Sequence, residues 1–427
     1  MKSSKTFAVA FPLAAVLCAA SVSRADSAPA ASTDSDAGTP SPKPQPGAPM
    51  ESNPAAVKEE NSKPEVRRPD ESKATSLMED MEKPGWAAFK DLGVPIRFDG
   101  YFWNDTGYLW RKNNGPSEFD QQDAYMQGRF VLGASYGRQV GSFAALARVE
   151  ILGLVNELTQ SLPEVHTLDA YLKFGQSWWD FQIGRFLAWE VYYRGQGIEL
   201  YTAEEAGARD GPALYLLDFT RGLIDEPGQA ALHFFPTKWL SFEVAGEYGQ
   251  HTNDNYYGVR PVADIKYAGF ELIGGAELLR QIPQQPATDH ALIFSRGYAA
   301  QLRYQLPWIA FGIDASRAEI INEAANQQID TKASLTKASI GGYVDIDIQR
   351  QHSIGLGYHY TTAPDRRGED NTQTQAFISY LYRLPIEGLS AKAVYGFARA
   401  HAEDVSGNKQ WENYQNSIRI RLLYEFH

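Results

Sequence analysis

From about residue 95 to the C-terminus, apolar and polar positions alternate with a period of two, most cleanly between Leu335 and Gln349. Ala338, Ile340, Gly342, Val344, Ile346 and Ile348 share one parity, and Lys337, Ser339, Gly341, Tyr343, Asp345, Asp347 and Gln349 share the other. Successive side chains of a strand point to opposite faces, so this segment has an oily face and a wet one. About sixteen such runs can be marked. They begin near Val94, Asp123, Ser142, Glu164, Asp180, Gly228, Trp239, Tyr257, Gly269, Leu292, Trp308, Leu335, His352, Thr372, Gly388 and Gln410. A pattern repeated to the last residue predicts an all-β chain whose antiparallel strands close into a barrel across a membrane, around a polar lumen.

The connections alternate in length. Those at Gln139 to Gly141, Gln176 to Trp179, Pro236 to Lys238, Ala268-Gly269, Pro307, Arg350-Gln351 and Pro385 to Glu387 are short. Every other connection is expected to be long, as in Lys112 to Gln122, Gln281 to Ala291, Ser316 to Ser334, Thr362 to Asn371 and Ala402 to Lys409. Short turns on one side and long loops on the other give an even strand number and place both barrel termini at the short-turn end. The longest connection runs from Arg194 to Pro227 and mixes charge with Tyr201, Tyr215, Leu216 and Phe219. A loop of that length without strong structure of its own is usually functional or disordered.

The N-terminus reads as an export signal. Lys2 and Lys5 precede an apolar stretch from Phe7 to about Val22, and Ser23-Arg24-Ala25 supplies small residues for cleavage after Ala25. Cys18, the single cysteine, lies inside that stretch, so the mature chain has no thiol for a disulfide or metal site. Residues 26–84, rich in Ala, Pro, Ser, Glu and Lys, read as a disordered periplasmic tail with room for a short helix around Ser76 to Met81 that could dock on a periplasmic partner. Pro84-Gly85 marks the boundary, and residues 85–427 are expected to form the barrel.

Charge then constrains what the lumen can prefer. From residue 95 onward there are 29 Lys and Arg against 39 Asp and Glu, a balance of −10. Arg97, Arg129, Arg148, Lys173, Lys266, Arg303, Lys337, Arg419 and Arg421 fall on the polar parity. So do Asp99, Glu150, Asp169, Glu243, Glu247, Asp264, Glu271, Glu277, Asp345 and Asp347. The mixture argues against strong anion selectivity and leaves the opposite preference open. Trp178, Trp179, Trp239, Tyr267 and Trp308 lie at short turns, with Tyr192, Tyr193, Tyr256 and Tyr257 at the other strand ends, the placement of two interfacial girdles. No catalytic set emerges: His352 and His359 fall on opposite faces, and the pair Asp345 and Asp347, about 7 Å apart along its strand, is explained by a wet wall. The acidic balance excludes nucleic acid as a partner, and no cofactor or metal is called for.

The region from about residue 95 resembles the Gram-negative porins. The stretch Asp169-Ala170-Tyr171-Leu172-Lys173-Phe174 with Phe181-Gln182-Ile183-Gly184-Arg185-Phe186 is similar to a strand pair of the phosphate-selective porins. That resemblance implies that the third long loop folds into the lumen as a constriction, with Arg194, Glu204, Glu205, Arg209, Asp210, Asp218 and Arg221 as its charged members. It also implies a homotrimer and passive diffusion of small hydrophilic solutes or ions across the outer membrane, beside lipopolysaccharide. The last strand, with Ile418, Ile420, Leu422, Tyr424 and Phe426 on one parity, resembles the signal read by the barrel-assembly machinery, although the chain ends in His427. The competing reading is a barrel in a polysaccharide or solute export assembly, tethered by the tail.

Overall fold

A computed structural model describes residues 75–83, 86–88, 95–114, 120–155, 165–189, 228–251, 254–283, 293–322, 334–349, 351–362, 370–403 and 409–426. All lie in one compact unit, Lys63–His427. The signal peptide and the tail up to residue 74 lie outside the described residues.

A short helix, α1 (Leu77–Glu82), precedes a three-residue strand, β1 (Trp86–Ala88). Sixteen longer strands follow: β2 (Ile96–Asn114), β3 (Asp120–Val140), β4 (Phe143–Val155), β5 (Val165–Gln176), β6 (Trp179–Arg185), β7 (Gly228–Thr237), β8 (Leu240–His251) and β9 (Asp254–Tyr267), then β10 (Phe270–Pro283), β11 (Ile293–Gln305), β12 (Ile309–Asn322), β13 (Ser334–Gln349), β14 (His352–Thr362), β15 (Asp370–Arg383), β16 (Leu389–Glu403) and β17 (Lys409–Phe426). Each pairs antiparallel with its sequence neighbours, and β17 returns to β2 from Glu412↔Asn114 to Phe426↔Gly100. The ring is therefore closed and has no free edge, the one sheet architecture that satisfies every backbone group inside lipid. Past Phe426 the edge of β2 is taken over by β1, through Trp86↔Phe98 and Ala88↔Ile96.

Burial follows the alternation read from the sequence. Val149, Ile151, Val244, Ile313, Ile340, Leu356, Ile378 and Ile420 are exposed on the outer face, an apolar belt that needs lipid against it. Trp178, Trp239, Tyr267 and Trp308 ring the short-turn end, and Tyr248, Tyr257 and Tyr298 stand outward near the other. Tyr256, expected in that outer girdle, instead has the inward parity of buried Arg260, and Tyr192 and Tyr193 lie outside the described residues.

At the long-loop end the strands run further than expected. β12 continues to Asn322, whereas a loop from Ser316 was expected. β8 and β9 leave only residues 252–253 between them, where a long connection was expected. Above the lipid band both faces are wet, so the ladder continues after the alternation has faded. Arg317 and Glu319 both face outward there, and Arg296 Nε on β11 donates to Glu319 Oε2 at 2.8 Å.

Candidate functional site: the inner wall and the helix docked on it

The inward faces carry charge from most strands, arranged in separate ion-paired clusters. At the closing seam Asp105 accepts from Arg421 Nε at 2.6 Å and from Arg419 Nε at 2.8 Å, while the Arg421 guanidinium lies 4.2 Å from the centre of the Trp103 ring. Arg148 bridges Asp99, at 2.7 Å, and Glu150. Arg260 faces Glu277 at 3.3 Å, Lys266 faces Asp264 at 3.2 Å and Glu271 at 3.6 Å, and Arg303 donates to Gln305 at 2.6 Å. Asp347 pairs with Arg383 and Ser353.

Of the residues expected to line the lumen, Arg129, Arg148, Lys173, Asp264, Lys266, Arg303, Asp345, Asp347, Arg419 and Arg421 all sit on inward parities. Lys337 takes an inward register position opposite Ala318. They are not brought together as a basic ring, because nearly every cation has a carboxylate on its own or a neighbouring strand. The constriction-loop candidates Arg194, Glu204, Glu205, Arg209, Asp210, Asp218 and Arg221 lie outside the described residues.

Two elements that are not wall strands occupy the lumen, and sequence reasoning placed neither fully. The first is α1, at the end of the stretch read as a disordered tail. Ser76 and Glu79 form a capping box, Glu79 N–H donating to Ser76 Oγ at 3.3 Å and Ser76 N–H to Glu79 Oε2 at 2.7 Å. A helix of six residues is marginal on its own; here the barrel's inner wall holds it. Leu77 is fully buried against Ala144 and Leu146 of β4, a contribution of about 1.5–3 kcal/mol for a leucine side chain. Met81 lies where a side chain at Gly137 of β3 would stand. Polar contacts complete the fit: Lys173 Nζ on β5 donates to Asp80 Oδ2 at 2.7 Å and to Thr75 O at 3.0 Å, Leu77 N–H donates to Asp180 Oδ2 on β6 at 3.0 Å, and Arg97 donates to the carbonyls of Met81 and Lys83. Burial alone would raise the Asp80 carboxyl; the Lys173 ammonium, with Lys83 2.9 Å away, overrides this and holds it well below the ordinary carboxylate value. Ala144, Gly137, Asp180 and Arg97 all stand near short turns or the start of β2, so α1 sits inside the short-turn mouth. The signal for it was Ser76-x-x-Glu79 followed by Met81; the binding wall, up to 103 residues away in sequence, was not visible locally.

The second is residues 186–189. Gly184 has φ 129°, and a Cβ there would lie 2.3 Å from Ala170 O, so glycine allows the chain to leave the wall. Phe186 and Ala188 then pack on Ala231 of β7 and Ala245 of β8, on their inward faces. Trp189 stacks on His233 with ring centres 4.9 Å apart and donates its N–H to Glu243 at 2.8 Å. His233 joins the two elements, its Nδ1 2.6 Å from Asp180 Oδ1 and its Nε2 3.0 Å from Glu243 Oε2. A buried polar chain thus runs from α1 through Asp180, His233 and Glu243 to Trp189.

No sequence family model and no curated protein sequence matches the chain. Solved structures do. An anion-selective porin from Comamonas acidovorans superposes with a TM-score of 0.56 at 9% identity over 78% of this chain and 100% of its own. The outer membrane channel DcaP of Acinetobacter baumannii gives 0.53 at 14% over 81% and 100%. OmpT, an outer membrane protein of Vibrio cholerae in a trimer form, gives 0.52 at 13% over 78% and 99%. At such identities the likeness is one of fold: the chain is a closed sixteen-stranded antiparallel barrel of the outer-membrane porin architecture.

Proposed function

We propose that this protein is an outer-membrane porin that lets small hydrophilic solutes or ions diffuse passively through its lumen. The observation that carries this is the inside-out distribution of the ring, with ion pairs from β2, β4, β5, β9 to β11 and β17 turned inward and an apolar belt outward. Charged walls hold water, and a watered lumen conducts. Residues 194–227 form the constriction in this reading, supported by the inward course of 186–189 that leads to them. The short-turn mouth is periplasmic and α1 stands in it, so the passage depends on whether α1 is docked. The assembly is a homotrimer, as in the Vibrio cholerae neighbour. Lys173, one of the expected lumenal cations, is held by Asp80 and Asp180, so in this reading an anion reaches it only when α1 leaves.

The test is the reversal potential of the purified protein in planar bilayers under a salt gradient, with and without residues 194–227. Deletion should raise conductance and change selectivity; unchanged values would remove the constriction. The occupied mouth also favours the second reading, a component of an export assembly that stays shut without its partners. Absence of steady open pores from the full-length protein would select it.

A further inference from the structure

On the far side of the ring from α1, the inner wall between β12 and β15 is built differently. Its cross-strand row reads Gly312, Tyr343, Gly357, Phe377. Each ring lies over the neighbouring glycine: a Cβ at Gly312 would stand 2.5 Å from Tyr343 Cε1, and one at Gly357 2.0 Å from Phe377 Cε1. The His359 ring lies over Gly341 in the same way, at 2.1 Å. The glycines thus let two aromatic rings and an imidazole lie along the wall.

Beside these rings stand Asp314, His359, Gln373 and Gln375, each more than nine-tenths buried. Both Asp314 oxygens, both His359 nitrogens, both Gln373 polar atoms and Gln375 Nε2 lack a hydrogen-bond partner among the described residues. Asp314 and His359 are 3.7 Å apart, too far for a hydrogen bond. Gln229 and Glu247 on β7 and β8 also keep polar atoms without a partner, but here four such side chains stand together beside aromatic rings, and buried polar groups left over call for a partner. Arg303, the cross-strand neighbour of Gly312, is engaged with Gln305 and Glu271.

We propose that this wall is a binding site for a neutral, ring-shaped polyol, a sugar. Its hydroxyls donate to Asp314, its oxygens accept from the Gln373 and Gln375 amides, and the apolar face of its ring packs on Phe377, the half-buried member of the row. A free anion is disfavoured by Asp314, and a linear polyol has no face for the rings. The proposal deepens the pore reading and rests on it, because the wall must face solute.

The test is saturation-transfer NMR on the full-length protein in detergent micelles, with maltose as probe and mannitol, an acyclic polyol, as control. Saturable transfer to maltose and not to mannitol is expected, with affinity lowered about tenfold by Asp314→Asn and by Gln375→Ala. Heat-modifiable migration in gels verifies that each variant is folded, and either alone suffices. Equal transfer to both solutes, or maltose binding unchanged in both variants, would overturn the site. Because the readout needs no current, maltose binding in a protein without open pores would uphold the site while counting against the pore.

Discussion

If α1 is held in the mouth by the Lys173 to Asp80 pair, replacing Asp80 by Asn should free it by a calculable amount. Both side chains are almost fully buried, at 3% and 9% exposure. Removing one partner of such a pair costs about 3–5 kcal/mol when the other is left alone. Lys173 is not left alone, since Thr75 O remains at 3.0 Å and Asp180 at 3.6 Å, and the Asn amide oxygen can still accept from Thr75 Oγ1. About 2 kcal/mol is then the better figure, which at 1.4 kcal/mol per decade is about 30-fold in the docked-to-free ratio. The assay uses a cysteine at Leu77, in a chain with Cys18 replaced by Ser so that it is the only thiol. Leu77 has no exposed surface when docked, so maleimide reacts only with the free helix and the labelling rate reports the ratio. Leu77→Cys itself weakens docking, equally in both backgrounds. Asp80→Asn should speed labelling about 30-fold. A rate already at that of an unhindered thiol before the second change, or one that Asp80→Asn alters by less than twofold, would refute the docking.

Other perturbations probe separate parts. Because the folded value of Asp80 lies below the ordinary 3.8, its share of docking is complete above that pH and is lost as pH falls below it; conductance should hold steady between about pH 7 and pH 5 on its account and rise in stronger acid, and Asp80→Asn should remove that rise. Asp105→Asn leaves Arg419 and Arg421 facing each other at the β17 to β2 seam and should cost about 3–5 kcal/mol, read as a lower temperature for the mobility shift of the barrel in gels; an unchanged shift temperature would mean that the seam does not depend on this carboxylate. Gly184→Ala places a Cβ against Ala170 O at a backbone angle suited to glycine; it should cost about 1–3 kcal/mol and raise conductance by displacing residues 186–189, and a conductance equal to the parent's would argue against their lumenal path.

The strands were legible because lipid enforces the alternation: every outward position between the girdles must be apolar, so β13 announces both its span and its face. Legibility ended where that pressure ends. At Arg317 and Glu319 the ladder continues in water and period two vanishes, which is why β12 looked finished at Ser316. The lumenal charges were readable as a set, by parity, but their pairing was not, since Asp105 meets Arg419 and Arg421 across more than three hundred residues of chain. The capping box of α1 was readable and its destination was not: Leu77 looked like one apolar residue in a polar tail until the β3–β4 hairpin set Ala144, Leu146 and Gly137 side by side on the inner wall.

The two elements inside the lumen share one stretch of wall, and the sharing has a physical cause. Asp180 accepts the Leu77 N–H and Glu243 the Trp189 N–H, and His233 lies between the two carboxylates. Each carboxylate is buried and needs its donors to stay so. Withdrawal of α1 strips one donor from Asp180, leaving His233 and Lys173 to hold it, and the first of these is itself the ring against which Trp189 stacks. Release of the helix and movement of the segment leading to 190–227 are therefore not independent events. They draw on the same imidazole, and a change at the short-turn mouth reaches residues 186–189 through three side chains.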